Sequence, residues 1–451
     1  MASTYLNRTF GTATNRKKCT LSAWIKRGKF NNSAYHFFVS SYNSSSDRLG
    51  FYFNTDDTLD VYCPGTNSMH VATNRVFRDP ASWYHVVFKC DTTQSTASDR
   101  VKIYVNGQHE TSLKQNTYPN QNDDLAFGTS SYNLYVGNYE GSNYHYDGSM
   151  SHVHFCDGYA YDASAFGSTD STTGEWKINT SPSVTYGNQG FTILKDGNTI
   201  TDQSTNSNNF TLGGGTLTKT EDCPSNVFCT LNRLNSDQPT GSVNIQYGNT
   251  GFEDGENGSN YSYVSGTLAA NSGKFYWETK VTDLAEIDQV GVALASSSFM
   301  GAANSNGLQA TTYGGKGCQF SNGYKVGDGS SGAYMGGFSV NDIMMIALDL
   351  DNNKITFGRN GQWADGSGNA NQTYANSTPA YTNLTAGEFY FPAQAKRAYG
   401  ANYGTNWYNF GNGFFQTTAI SSAGTNASGN GIFEYDVPTG FTALSTKGLN
   451  L

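Results

Sequence analysis

Charge is scarce in this chain: 14% of its 451 residues are Asp, Glu, Lys or Arg, and the acidic ones outnumber the basic, 36 to 27. A nucleic-acid binder shows a broad basic face, so none is expected here. No apolar run approaches the ~20 residues of a membrane helix, which argues against membrane insertion. Proline is rare, with 9 residues, and long amphipathic helical stretches are missing. The seven cysteines (19, 63, 90, 156, 223, 229 and 318) contain no C-x-x-C pair. That is a pattern of free, mostly buried thiols rather than of a disulfide framework, although Cys223 and Cys229 are near enough in sequence to pair. Histidine is missing beyond residue 154, so no Ser-His-Asp triad can be assembled within the second half. The opening "MASTYLNRTFG" has no charged segment followed by an apolar stretch, from which we expect a soluble protein made in a cytosol.

Glycine and aromatics abound instead, with 51 Gly, 30 Tyr and 27 Phe. The aromatic load points to packed cores, because disordered chains are poor in aromatics. A chain of 451 residues has room for two or three such cores. Glycine with abundant Asn and Ser suits short strands joined by tight turns, so an all-β protein is expected. Alternating strands recur early, in "CTLSAWIKR", "LGFYFN", "LDVYC" and "WYHVVFKC". Within "RVKIYVNGQHETSL", Asn106-Gly107 predicts a type I′ hairpin turn, whose two central residues need positive φ. Residues 162–235 are rich in Ser, Thr, Asn and Gly and read as a connector with little core of its own, Trp176 and Phe191 packing on a neighbour. Strand density returns with "SGKFYWETKVTD", "QVGVALAS" and "DIMMIALDLDNNKITFGRNGQW", which holds a second Asn-Gly turn at Asn360-Gly361. No fibrous repeat is visible. Residues 1–160 carry 14 basic and 13 acidic residues, a net of +1, whereas residues 236–416 carry 8 and 14, a net of −6.

The motifs "TLSAWIKRG", "WYHVVFKCD", "VKIYVNG" and "DGSMSHVHFCDG" give residues 1–161 a resemblance to laminin-G-like (concanavalin A-like) jelly rolls. Through "SGKFYWETKV", "VGVALAS", "IMMIALDLDNNKITFGRNGQ", "FYFPA" and "NWYNFG", residues 236–416 are similar to a SPRY domain. The implied fold is two concanavalin A-like β-sandwiches joined by the connector 162–235 and followed by a C-terminal extension, 417–451. With "YLNRTFGTATNRKKCTLSAWIKRG", "HVHFCDGYAYDASAFGSTDSTTGEWK" and "CPSNVFCTLNRLN", the whole order resembles a group of tailed-phage virion proteins, especially from marine phages. That resemblance implies a non-enzymatic virion protein without cofactors, a fibre-like peripheral appendage of capsid or tail. Its implied partners are other virion proteins and a host-surface glycan. Phage appendages are usually symmetric homo-oligomers, often trimers. Capsid decoration or joining is the alternative role, and polysaccharide degradation a lesser one.

Several clusters carry site-like chemistry. In "SHVHFCDG", strict alternation would set His152, His154 and Cys156 on one strand face, as zinc ligands would stand. No acidic residue immediately flanks the histidine pair, and we read it as a structural strand. Glycoside hydrolysis usually needs two carboxylates about 5–10 Å apart. Asp349-x-Asp351 comes nearest, but it leads into a turn whose amides such aspartates hydrogen-bond. Glu253, Asp254 and Glu256 lack the spacing of a helical calcium loop. No catalytic or metal-binding residue is therefore expected. Carbohydrate recognition favours aromatic faces beside amides and carboxylates, and "YNLYVGNYEGSNYHYDG" (132–148) supplies Tyr139, Tyr144 and Tyr146 with Asn143 and Asp147. A sheet-face or subunit contact is the competing role. Loops around Tyr324, Tyr334, Tyr374 and Tyr381 offer a similar surface in the second half. Arg16, Lys17, Lys18, Lys26, Arg27 and Lys29 form the single basic cluster, a candidate dock on the virion or a solvated strand edge.

Overall fold

The computed structural model describes residues 3–30, 34–65, 68–195, 199–237, 244–253, 261–284, 287–299, 306–397 and 405–450. The chain forms two compact units, Met1–Lys219 and Thr220–Leu451. Among the described residues the helices are all three-residue 3-10 turns.

In the first unit an eight-stranded sheet runs in the order Leu113–Thr117, Met69–Val76, Thr58–Cys63, Asp47–Phe53, His36–Ser44, Asn133–Val136, Tyr5–Thr9, Thr211–Gly214. A six-stranded sheet faces it, in the order Phe191–Ile193, Gly148–Asp157, Lys18–Arg27, Trp83–Asp91, Val101–Val105, Gln108–His109. Side chains alternate across a strand, and the inward set builds the core: Leu49, Phe51 and Phe53 from one sheet meet Leu21, Ile25 and Phe88 from the other. Phe51 packs edge to face on Phe88 at 4.6 Å. Each such ring, fully buried, stabilises the fold by about 2–3 kcal/mol. Asn106 and Gly107 have φ of 46° and 79°, as a type I′ turn demands. Gly107 has a second duty, since a Cβ there would run into the Trp176 ring.

The segment expected to be a connector is divided instead at Lys219, and its larger part belongs to the first unit. Phe191–Ile193 and Thr211–Gly214 are edge strands of the two sheets. Ahead of both in the chain, Ala163 and Phe166, with Trp176 and Tyr186, cover Val87 and Cys156 on the outer face of the six-stranded sheet. Little apolar surface is needed because short polar side chains bind the backbone. Asp202 accepts the amides of Thr192, Ser204 and Asn208, while Asn206 and Asn208 donate to the Gly190 carbonyl.

The second unit repeats the plan. A seven-stranded sheet has Ser262–Gly266, Tyr390–Arg397, Ile287–Leu294 and Lys316–Gln319 at its centre. A nine-stranded sheet is centred on Lys274–Lys280 and Ile343–Asp349. Trp277, Ile346, Leu348 and Phe357 pack against Val290, Val292 and Tyr390 between them. The stretch 417–451 is part of this unit. Thr442–Ala443 pairs in parallel with Phe275 and Tyr276, and Phe433, Val437 and Phe441 cover Tyr276, Met345 and Trp363.

Candidate functional site

The outer face of the eight-stranded sheet carries the candidate surface. Because Leu49, Phe51 and Phe53 turn into the core, Arg48, Gly50 and Tyr52 take the opposite face. Register then sets Tyr42 beside Arg48, Phe37 beside Tyr52, and Tyr62 between Gly50 and His70. The bare Cα of Gly50 makes room, since a Cβ there would strike the Phe37 ring. Phe37 instead stacks on Tyr52 at 4.4 Å.

Residues 137–148 fold back over this face. Gly137, Gly141, Tyr144 and Gly148 all have positive φ, and the loop closes through Tyr139 N–H to Asn143 O (3.1 Å) and Tyr146 N–H to Gly137 O (2.8 Å). The Ser40 hydroxyl ties it down by donating to the carbonyls of Asn138 (3.1 Å) and Tyr139 (2.5 Å). Tyr139 then lies among the rings of Phe37 (4.8 Å), Tyr42 (5.2 Å) and Tyr144 (5.9 Å). Tyr144 meets Tyr35 edge to face at 5.3 Å, and these two rings are exposed, 45% and 37%. At the other end Arg48 lies over Tyr139 (5.3 Å) and Tyr62 (5.7 Å).

Tyr139, Tyr144 and Asn143 therefore come together on this surface. Burial pushes the Tyr139 hydroxyl up to about 12, so it stays neutral. Asn143 is exposed, its amide donating to Glu140 Oε1 at 2.7 Å. Tyr146 is a correction: it is 8% exposed and donates to the Lys26 carbonyl at 2.8 Å, because the returning loop tucks it under itself. Asp147 turns to Gly28, whose amide donates to its carbonyl at 2.8 Å. Tyr35, Phe37, Tyr42, Arg48 and Tyr62 escaped sequence reading. Alternation marks their outward positions, but only strand pairing brings them to loop 137–148.

The basic cluster separates in space. Lys18 and Arg27 are the first and last residues of one ten-residue strand, roughly 30 Å apart at ~3.3 Å per residue. At one end Arg16 donates to Leu125 O (2.7 Å), Lys17 pairs with Asp124 (3.0 Å) and Lys18 with Asp91 (3.2 Å). At the other, Lys26 is buried and Lys29 half-buried. Arg27 is buried too, bound to Asp57 (2.9 Å) and to the Phe77 carbonyl (2.6 Å). As a single docking patch the six residues do not survive.

The His-x-His-x-Cys run is also rearranged. A bulge between Ser151 and His154, with His152 at φ 49°, breaks the strict alternation of the run, while the His152 and His154 rings lie 6.3 Å apart. Burial drives His154 well below its ordinary value, and its Nδ1 meets the Tyr186 hydroxyl at 3.0 Å. Among the described residues no three His, Cys, Asp or Glu side chains gather as a metal site requires. All seven cysteines are free, and all but Cys223 are buried. Glu253 accepts from the Asn244 amide at 2.9 Å, while Asp254 and Glu256 lie outside the described residues. Asp349 and Asp351 accept the amides of Asn352 and Gly273, at 3.1 and 2.7 Å.

Ser22 and His85 meet in a buried contact on the six-stranded sheet. The indole N–H of Trp176 donates to His85 Nδ1 (2.9 Å), so the imidazole proton sits on Nε2 and is given to Ser22 Oγ (2.8 Å). The ring cannot take the serine proton, and burial lowers it to about 3. In the second unit Tyr334 is buried, donating to Thr378 O at 2.7 Å, and Tyr374 packs on Trp363 at 5.0 Å. Tyr381 lies beside the ammonium groups of Lys316 and Lys325 (5.4 and 5.3 Å), and Tyr324 is exposed.

The laminin G family model described as the concanavalin A-like lectin/glucanases superfamily matches residues 2–164. No curated protein matches the chain. Among solved structures, the SPRY domain of human HERC1 is similar over 39% of this chain and 93% of its own, at 17% identity and a TM-score of 0.29. A native heptameric SAP-like pentraxin from Limulus polyphemus is similar over 34% of this chain and 70% of its own, at 15% identity and a TM-score of 0.24. The fold is all-β, each unit built of large antiparallel sheets packed on a shared core, and the concanavalin A-like match falls on the first of them.

Proposed function

We propose that this chain is a non-enzymatic binding protein, a peripheral capsid or tail appendage of a virion that attaches to a host-surface glycan through the outer face of its first sandwich. The virion assignment rests on the resemblance of the chain's motifs and their order. The exposed Tyr35–Tyr144 pair carries the glycan part, backed by Phe37 and Tyr139 and flanked by Asn143. Sugar faces stack on such rings while neighbouring amides take the hydroxyls. Against catalysis, among the described residues the carboxyl raised to about 7 is that of Glu278, and it is buried under four donors: the Tyr276 hydroxyl, the Asn409 amide and the main-chain N–H groups of Glu434 and Tyr435. It has no access to a substrate.

The test is adsorption competition, with purified full-length protein added to susceptible bacteria before phage. Retention on cells and a slowed adsorption rate, both lost in Tyr144→Ala, support attachment. Neither retention nor competition would overturn the glycan reading and turn the same rings into a contact between viral proteins.

A further inference from the structure

Among the described residues, the edge of the Arg48 guanidinium is a strong donor array on this face that its surroundings leave unmatched. Aromatic faces hold a guanidinium by cation–π attraction, and Tyr62 and Tyr139 do so here at 5.7 and 5.3 Å. Ring faces satisfy none of its five N–H donors; the Tyr139 hydroxyl engages the side chain once. Carboxylates on the same strands and loop have other partners. Asp47 accepts the Tyr132 hydroxyl. Asp60 is buried and accepts from Asn54 (2.9 Å) and Thr58 (3.0 Å) beside His70 (3.0 Å). Glu140 takes the Asn143 amide (2.7 Å) and the Tyr42 hydroxyl. Among the described residues Arg48 forms no ion pair. Tyr139 remains a neutral phenol up to about 12, so no tyrosinate forms to cancel the charge.

We propose that Arg48 makes this surface selective for acidic saccharides, its planar fork taking the two oxygens of a uronate carboxylate while the sugar lies against Tyr139 and Tyr144. The inference rests on the saccharide reading above and adds the class of sugar. A carboxylate and a guanidinium match as parallel N–H···O pairs, and a guanidinium already seated between two rings loses little freedom on binding. Neutral sugars would find the tyrosines but leave the fork unmatched.

The experiment is isothermal titration of the full chain at about 0.15 M salt, where long-range attraction is screened. The ligands are oligogalacturonate, alginate oligomers and hyaluronan oligomers, each beside its carboxyl-reduced counterpart. We expect at least one acidic oligomer to bind about tenfold more tightly than its reduced form, a difference of about 1.4 kcal/mol. Arg48→Gln and Arg48→Lys should both abolish that preference, bringing the acidic oligomer down to the affinity of its reduced form. Tyr144→Ala should weaken both forms. A preference that persists in Arg48→Gln overturns the proposal, and one that persists in Arg48→Lys reduces it to general charge attraction and overturns the fork. Equal binding of acidic and reduced oligomers by the wild type overturns it while the saccharide reading stands. Binding of none of these ligands removes both. Should Arg48→Gln fail to fold, Arg48→Lys carries the comparison.

Discussion

Arg27 and Lys17 look alike in the sequence and do opposite work in the fold. Arg27 is buried in an ion pair with Asp57, over the Phe53 ring at 4.3 Å, and Arg78 reaches the other carboxylate oxygen at 2.8 Å. Removing one member strands a buried charge, so Arg27→Ala should cost about 3–5 kcal/mol. Lys17→Ala, at a half-exposed pair, should cost about 0–1 kcal/mol. Urea midpoints of the two variants measure the contrast; similar midpoints would refute the burial argument. Two tyrosines of loop 137–148 separate in the same way. Tyr146→Phe deletes a buried hydrogen bond and should lose about 1 kcal/mol without touching adsorption. Tyr144→Ala should change stability by less than about 0.5 kcal/mol and abolish competition for cells. A single line of sequence offered all three tyrosines as equals, because the φ of 53° that turns Tyr144 outward is invisible in composition.

Among the elements, the closing stretch of the chain is pinned by one buried carboxylate. Glu278 accepts the main-chain N–H groups of Glu434 and Tyr435, each at 2.9 Å. Burial outweighs these bonds and lifts its carboxyl from 4.5 to about 7. A raised folded-state value means that the contribution is fully present below the unfolded value and fades as pH rises through the folded one. Glu278→Gln should therefore flatten the dependence of second-unit stability on pH between about 4.5 and 7, a span worth on the order of 3 kcal/mol. Melting temperatures across that window, with hydrogen exchange at residues 434 and 435, check it; an unaltered slope in the variant would refute it. Strands such as Lys18–Arg27 and Ile343–Asp349 were legible by alternation, and both Asn-Gly turns by their need for positive φ. The bulge at His152 was not, because alternation carries no mark of an inserted residue. Nor were the roles of 162–219 and 417–451. Their hold on the sandwiches is made by Asp, Asn and backbone bonds more than by apolar runs, and polar sequence reads as loop.

Taken whole, the molecule pairs two sandwiches of opposite acid response. All seven histidines belong to the first unit. Burial, with Arg27 nearby, holds His36 down at about 4, and burial alone takes His85 to about 3. A depressed value means stability present above the unfolded value of ~6.5 and lost as pH falls toward the folded one, at up to about 1.4 kcal/mol per pH unit for each such histidine. Fragments 1–219 and 220–451, melted separately, should shift in opposite directions between pH 7 and about 5, the first downward and the second upward. A fragment ending at residue 161 should not fold cooperatively, since it lacks both late edge strands and the cover over Cys156; a sharp melt from it would contradict the division at Lys219. The strand Tyr5–Thr9 makes the dependence acute, for it pairs with Asn133–Val136 on one side and Thr211–Gly214 on the other. On the ribosome, this strand must wait for a partner made late in the same unit. At ~5–20 residues per second, the fifty or so residues between the laminin-G-like stretch and that final strand take roughly 3–10 s. Throughout that interval one edge of a nascent sheet keeps its backbone groups unpaired, a template open to another chain, with the polar residues Asn7 and Arg8 along it.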